Sequence, residues 1–342
     1  MKHYDLALIG FGNVGRALAR LLARKREVLA NDYSLTFAIT TIITGSHGSA
    51  HDIEGLDIEE ALELSSAGKS LKELSSQQIP NGTIELIQSC GADVLFENSP
   101  VNYESGQPAI DHLQAALESG MHAITANKGS LVHAYQELTE LAESVSRKFF
   151  FESTVMDGAP VFSLFRETLP GAVLIAFEGI LNSTTNLMLA RMETGDSFDQ
   201  AVAYAQSIGI AETDPSGDVD GWDAAIKVAA LATVLMGIPT KPSEVDRKGI
   251  RAITPDMITQ AREAGKRWKL ICSAKRVGEK IQTHVAPEMV SPESLFYNIE
   301  GTTSIVRFDT DVLGKLSIIE NDPGPETTAY GLLADFLSAA KT

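Results

Sequence analysis

Three carboxylates precede a single lysine in the stretch GDVDGWDAAIK, residues 217–227. They are Asp218, Asp220 and Asp223, and the lysine is Lys227. If a helix starts near Asp220, Asp223 and Lys227 lie four apart on one face. The lysine then runs into AAIKVAALATVLMG, an apolar stretch in which an unpaired ammonium would be costly. Such a lysine, its pKa lowered by partial burial, can take or relay a hydroxyl proton, and the acids beside it can hold a cationic group. The plainer alternative is a helix capped by Asp220 and Asp223. An exposed Asp223–Lys227 pair would then add roughly a few tenths of a kcal/mol.

Two further stretches carry groups suited to a site. Thr125-Ala-Asn127-Lys128 ends a predicted strand, and ligands of open α/β sheets sit beyond the carboxyl ends of their strands. Gly179-Ile-Leu-Asn182-Ser-Thr184-Thr185-Asn186 falls at a strand-to-helix junction rich in small hydrogen-bonding groups.

What must position them begins at the amino terminus. Gly10-Phe-Gly12-Asn13-Val14-Gly15 follows a predicted strand, 4–10, and opens a predicted helix, 13–26. That is the context a dinucleotide fingerprint requires. Gly10 allows the tight turn, Gly12 lets a pyrophosphate approach the backbone, and Gly15 lets the helix lie against the strand. The helix start then offers amide donors to the phosphates. The next strand, 35–44, ends in Thr44-Gly45-Ser46-His47-Gly48, with neither an acid for a ribose hydroxyl nor an arginine for a 2′-phosphate. NAD and NADP both stay open.

The periodicity continues with a short helix near 57–64 in a polar stretch, 45–82. Further strands are expected at 92–99, around MHAITA and at 149–154, with helices at 108–119 and 129–146. Strands alternating with helices mean a parallel sheet. After Pro160 the pattern becomes α+β. Helices fall at 160–169, 184–193, 197–207, 222–236 and 255–264, and strands at 173–180, 268–277 and 280–286. TSIVRF and VLGKLSII follow, then a last helix over 326–340 whose apolar face returns to the first domain. The fold expected is α/β: a Rossmann-type nucleotide-binding domain over 1–150, completed by about 320–342, plus an α+β substrate and dimerisation domain over 151–320.

The 342 residues are 44% apolar and carry 28 Lys and Arg against 45 Asp and Glu, a net charge of −17. A large core is possible, and the acidic balance argues against a nucleic-acid partner. No apolar run reaches membrane-spanning length, so no membrane is expected. Cys90 and Cys272, outside any metal-ligand spacing, read as buried thiols of a cytoplasmic protein.

These motifs together resemble homoserine dehydrogenase. The likeness runs from the glycine loop through ANK, GILNSTTN and AETDPSGDVDGWDAAIK to TAYGLLADFL. It implies oxidation of L-homoserine to L-aspartate 4-semialdehyde with NAD or NADP, or the reverse, within threonine and methionine biosynthesis. It implies Lys128 and Lys227 as the catalytic pair, and Glu212, Asp218, Asp223, Asn182 and Thr184 as substrate-binding. The cofactor set is Gly10, Gly12, Asn13, Val14, Gly15, Ser99, Pro100, Lys128 and Gly324. Which lysine meets the reacting oxygen stays open, with Lys227 favoured. The family is typically dimeric and often holds a monovalent cation, sodium or potassium, at positions matching Glu152, Val155, Asp157 and Ala159. Ser183 stands where glycine is common. Asn321-Asp-Pro-Gly324-Pro-Glu326 departs from a glycine-alanine-glycine pattern.

Three rivals remain. A thiol-acylating semialdehyde dehydrogenase would need a cysteine nucleophile with a histidine. A second is another amino-acid or hydroxy-acid dehydrogenase. A third is a sensor that binds the nucleotide without turnover.

Overall fold

The computed structural model describes residues 1–76 and 78–341. The chain forms two compact units, one of Met1–Pro160 with Gly324–Thr342 and one of Val161–Pro323. The breaks between these units, after Pro160 and Pro323, fall near the divisions expected at 150 and about 320.

The first unit begins with β1 (Lys2–Ile9), α1 (Asn13–Tyr33), β2 (Leu35–Ile43), β3 (Ser49–His51), α2 (Ile58–Ser66) and α3 (Thr83–Ser89). It continues through β4 (Val94–Glu97), α4 (Ala109–Glu118), β5 (His122–Thr125), α5 (Lys128–His133), α6 (Tyr135–Ser144) and β6 (Phe149–Phe150). The second unit holds β7 (Leu174–Ile180), α7 (Ser183–Glu193), α8 (Phe198–Ser207), α9 (Ser216–Val219) and α10 (Trp222–Leu235). Then come β8 (Asp246–Arg247), α11 (Pro255–Glu263), β9 (Arg267–Val277), β10 (Lys280–Val290), β11 (Ser304–Thr310) and β12 (Gly314–Glu320). The chain returns to the first unit as α12 (Pro325–Ala340).

Among the described residues the first sheet has the order β3-β2-β1-β4-β5-β6. All its pairs are parallel except β2–β3. The chain winds one way from β1 to β2 and the other way from β1 to β4. A doubly wound sheet binds ligands at that reversal, beyond the strand carboxyl ends. Helix α12 closes the core of this unit. Phe336 is fully buried, edge-on to Tyr4 at 5.4 Å and to Phe96 at 6.0 Å. Truncating such a ring to Ala typically costs about 3–5 kcal/mol.

The second sheet, β12-β11-β7-β9-β10-β8, is antiparallel apart from β10–β8. Ile180, Ile271, Val290, Phe296, Ile299 and Ile305 pack together in this unit.

Several expected elements change. Helix α1 runs on to Tyr33, where Ser34 turns left-handed (φ 53°) and donates its N–H to Leu29 O. The helix expected over 129–146 breaks at Ala134 into α5 and α6. The strand expected over 149–154 stops at Phe150 and becomes a 3₁₀ turn at Glu152–Thr154. Helix α12 takes the place of a sheet neighbour there. Asp335 accepts from Glu152 N at 2.7 Å, and Ser153 Oγ donates to Thr328 O at 2.7 Å. The helix expected over 160–169 is a π-type turn at Leu164–Thr168. Within the polar stretch 45–82, β3 was not anticipated.

Candidate functional site

In the first unit the three loop glycines have different duties. Gly10 has φ 82°, and a Cβ there would lie 2.4 Å from Asn98 O. A Cβ on Gly15 would lie 2.2 Å from Gly10 O. Both are fixed by backbone approach. A Cβ on Gly12 would meet nothing within 4 Å, so its Cα side faces open space at the start of the 21-residue helix α1. Space bordered by first-turn amides at the positive end of a helix suits a pyrophosphate. Asn13 and Val14 form that first turn, and Asn13 Oδ1 accepts from Arg16 at 2.9 Å.

The next strand ends lie beside it. Both polar atoms of the Asn98 side chain and the Ser99 hydroxyl are shielded from solvent without a hydrogen-bond partner. Buried orphan groups of this kind call for a ligand that completes them. Asn127 is buried and caps α5, accepting from Gly129 N at 3.0 Å while Nδ2 donates to Ser99 O (3.1 Å) and Pro100 O (3.4 Å). Lys128 is the first residue of that helix. These residues fit a dinucleotide. Sequence reasoning passed over Asn98 and read Asn127 only as a neighbour of Lys128. An asparagine just past a buried strand next to a glycine loop was the available signal.

Beyond β2, Thr44 Oγ1 donates to Gly48 O at 2.9 Å, and Ser46 Oγ meets His47 Nδ1 at 2.7 Å. The Lys72 stem lies 3.3 Å from where a Gly48 Cβ would be.

The second unit gathers the other set. Asn182 caps α7 with Oδ1, accepting from Thr185 N at 2.8 Å. Its Nδ2 donates to Asp218 Oδ1 at 2.6 Å and to Asp223 Oδ2 at 3.0 Å. Lys227 Nζ stands 3.0 Å from Asp223 Oδ2 and donates to Leu181 O at 2.6 Å. Burial, and then the Asp223 charge, push the Asp218 carboxyl up to about 6, against the pull of Asn182, Lys227 and Thr184. Asp223 and Thr184 are buried, and Lys227 is mostly so. Helix α10 starts after Gly221 (φ 79°), so the Asp223–Lys227 spacing holds. Asp220 does not cap it; its carboxylate pairs with Arg251. Glu212 is exposed, and its main-chain oxygen accepts from Gln206 at 3.1 Å. The Ser183 hydroxyl is taken up by Ser304 at 3.1 Å.

Around the expected cation positions, Glu152, Val155 and Ala159 are buried. Asp157, left-handed at φ 39°, accepts from Thr328 at 2.9 Å and so ties this turn to α12. Among the described residues no three His, Cys, Asp or Glu side chains cluster for a metal ion. Gly324 precedes α12 with extended backbone, and its N–H donates to Thr327 Oγ1 at 2.8 Å. Both cysteines are buried. Burial pushes the Cys90 thiol up and the Cys272 thiol up to about 12, which disfavours the thiolate that a nucleophile needs. No helix among the described residues is long and apolar enough to cross a membrane.

A family profile described as homoserine dehydrogenase matches residues 160–337, and one described as the homoserine dehydrogenase NAD-binding domain matches 10–152. An NAD(+)-dependent homoserine dehydrogenase of Pseudomonas canavaninivorans is 36% identical, over 98% of this chain and 96% of its own. The homoserine dehydrogenase of Methanocaldococcus jannaschii is 35% identical, over 97% of each chain. A hyperthermophilic archaeal homoserine dehydrogenase mutant, solved with NADPH, superposes with TM-score 0.83 at 29% identity, covering 99% of this chain and 98% of that one. This chain therefore belongs to the homoserine dehydrogenase family, the NAD(P)-dependent oxidoreductases that act on the CH–OH group of homoserine.

Proposed function

We propose that Lys227 moves the proton in homoserine oxidation, that the second unit seats the substrate, and that the first seats the nucleotide. One observation carries this: Lys227 lies 3.0 Å from Asp223, in a cluster where Asn182 ties Asp223 to Asp218. Asp218 and Asp223 stand side by side, and Asp218 holds its proton up to about pH 6, first through its desolvation and then through the Asp223 charge. The ammonium of homoserine would relieve both costs. Asn182 and Thr184 keep the carboxylates in place. Exposed Glu212 is left out of this set.

In the oxidative direction the Lys227 amine takes the hydroxyl proton as the substrate carbon gives up its hydride. Bound NAD or NADP supplies the hydride acceptor. In the reverse direction the Lys227 ammonium stabilises charge growing on the aldehyde oxygen and then donates its proton. Lys128 is the second cation, a relay or partner at the start of α5. Amides of residues 12–15 hold the pyrophosphate, and Asn98, Ser99, Pro100 and Gly324 border the nucleotide farther along.

The test is nicotinamide absorbance with homoserine and each cofactor. Turnover is expected from the native chain, and Lys227→Met should lose it while cofactor binding persists. A variant that keeps most of the rate overturns the assignment. We also propose that two copies associate in the cytoplasm, supported by exposed Ile175 and Ile319 on the second sheet and Met289 at its β10 strand. Sedimentation at twice the chain mass is the expected result.

A further inference from the structure

Glu97 ends β4 with its side chain completely buried. A carboxylate in such a place is costly unless its oxygens are hydrogen-bonded. Oε1 accepts from Ser99 N at 3.2 Å and lies 3.3 Å from Nδ1 of His112, itself buried on α4. Oε2 accepts from Thr125 Oγ1 at 3.4 Å, and the Glu97 main-chain oxygen accepts from the same hydroxyl at 3.0 Å.

The network does not stop there. Thr125 Oγ1 also accepts from Asn127 N at 2.9 Å, and Asn127 Nδ2 donates back to Ser99 O at 3.1 Å. The path from Glu97 through Thr125 and Asn127 to Ser99 and back to Glu97 is closed. It ties the loop after β4, with its orphan Asn98 and Ser99 groups, to the cap of the helix that begins at Lys128. A ring of buried and partly buried hydrogen bonds holds its members more firmly than separate pairs.

We propose that Glu97, braced by His112, is a positioning residue. It sets the Asn98-Ser99-Pro100 turn and the Lys128 helix start in register for the nucleotide. This rests on the reading above that those groups meet the cofactor. Glu97 touches no substrate. It acts through Ser99 N and Thr125, and a shift of about 1 Å in the groups it holds can cost on the order of a hundredfold in rate.

The experiment compares Glu97→Gln, Glu97→Asp and Thr125→Val with Ser99→Ala and Lys128→Met. Cofactor dissociation constants, kcat, KM for homoserine and thermal midpoints are measured on each. Glu97→Gln keeps the size of the side chain but offers one acceptor oxygen where the carboxylate offered two. We expect it to weaken cofactor binding about tenfold and lower kcat about tenfold to a hundredfold, with KM for homoserine within about twofold. Thr125→Val, which changes no charge, should show the same pattern more weakly. Glu97→Asp should recover part of the loss. If Glu97→Gln is folded and only its thermal midpoint moves, or if Glu97→Gln cannot be purified folded and Thr125→Val binds cofactor and turns over as the native chain does, the proposal is wrong. If Ser99→Ala and Lys128→Met are also silent, the underlying cofactor reading fails with it. If those two are impaired and the Glu97 variants are not, only the positioning role falls.

Discussion

Two lysines of the second unit meet opposite surroundings within one turn of the same helix start. Lys227 has a carboxylate at 3.0 Å and the Leu181 carbonyl at 2.6 Å. Lys269, only 1% exposed, has neutral acceptors: Asn186 Oδ1 at 3.1 Å and the Ile299 carbonyl. Burial pulls the Lys269 ammonium down to about 8, opposed by Glu193 and aided by Arg267. The contrast separates two uses of a buried lysine. One is held beside acids in a polar cluster where substrate can take part in the balance of charge. The other ties β9 to α7 and is easier to hold when neutral. Depth of burial alone would point to Lys269; the direct carboxylate partner is what favours Lys227 in the role proposed above.

The comparison breaks most sharply on turnover. Lys227→Met should lower kcat by about 10²–10⁴, the range for losing a general acid–base group. Lys269→Met should keep kcat within a few-fold. Equal losses would erase the distinction.

Next come the acids. Asp218→Asn and Asp223→Asn should raise KM for homoserine about tenfold to a hundredfold, because an ammonium loses a charge-assisted partner. The native KM should also rise as pH falls through about 6, where Asp218 takes up its proton, and Asp218→Asn should flatten that limb. The stability sign runs the other way. The folded pKa of Asp218 lies above the ordinary value of 3.8, so its contribution is fully present below that value and is lost as pH rises through about 6. Asp218→Asn should therefore unfold at a higher temperature than the native chain at pH 7, and an unchanged midpoint would contradict it.

Lys269 sharpens the same point with a smaller effect. Its folded pKa, about 8, is below the ordinary 10.5, so the unfolded chain binds more protons between those values. Stability should rise with pH across that window. Denaturant titrations of Lys269→Met at both ends should show the rise reduced. Smallest is Lys72→Ala, where one exposed ammonium beside the loop after β2 is lost. Dissociation constants should rise about threefold to tenfold for NADP and hardly at all for NAD, and added salt should shrink the difference.

The two halves of the chain were legible for related reasons. The glycine spacing at residues 10–15 implies a turn and a close approach whatever surrounds it, because missing Cβ atoms are a local property. Asp223 and Lys227 were readable for a similar reason: a helix brings residues four apart together by its own pitch. Glu212 has no such local rule: it lies in the loop before α9, and no local period says where a loop side chain goes. The strand expected over 149–154 stops early, and its run of three phenylalanines could not reveal that α12 supplies hydrogen bonds to Glu152 and Ser153.

The sequence by itself determined the parallel sheet, the nucleotide loop, the family and the Asp223–Lys227 face, all of which follow from short-range spacing and steric rules. Only the tertiary structure decided that Asn182 joins Asp218 to Asp223 across 36 and 41 residues of chain. It alone closed the ring around Glu97, and it alone separated Lys227 from Lys269. Those outcomes depend on which distant groups share a desolvated space, and the energy of a buried charge is set by those neighbours.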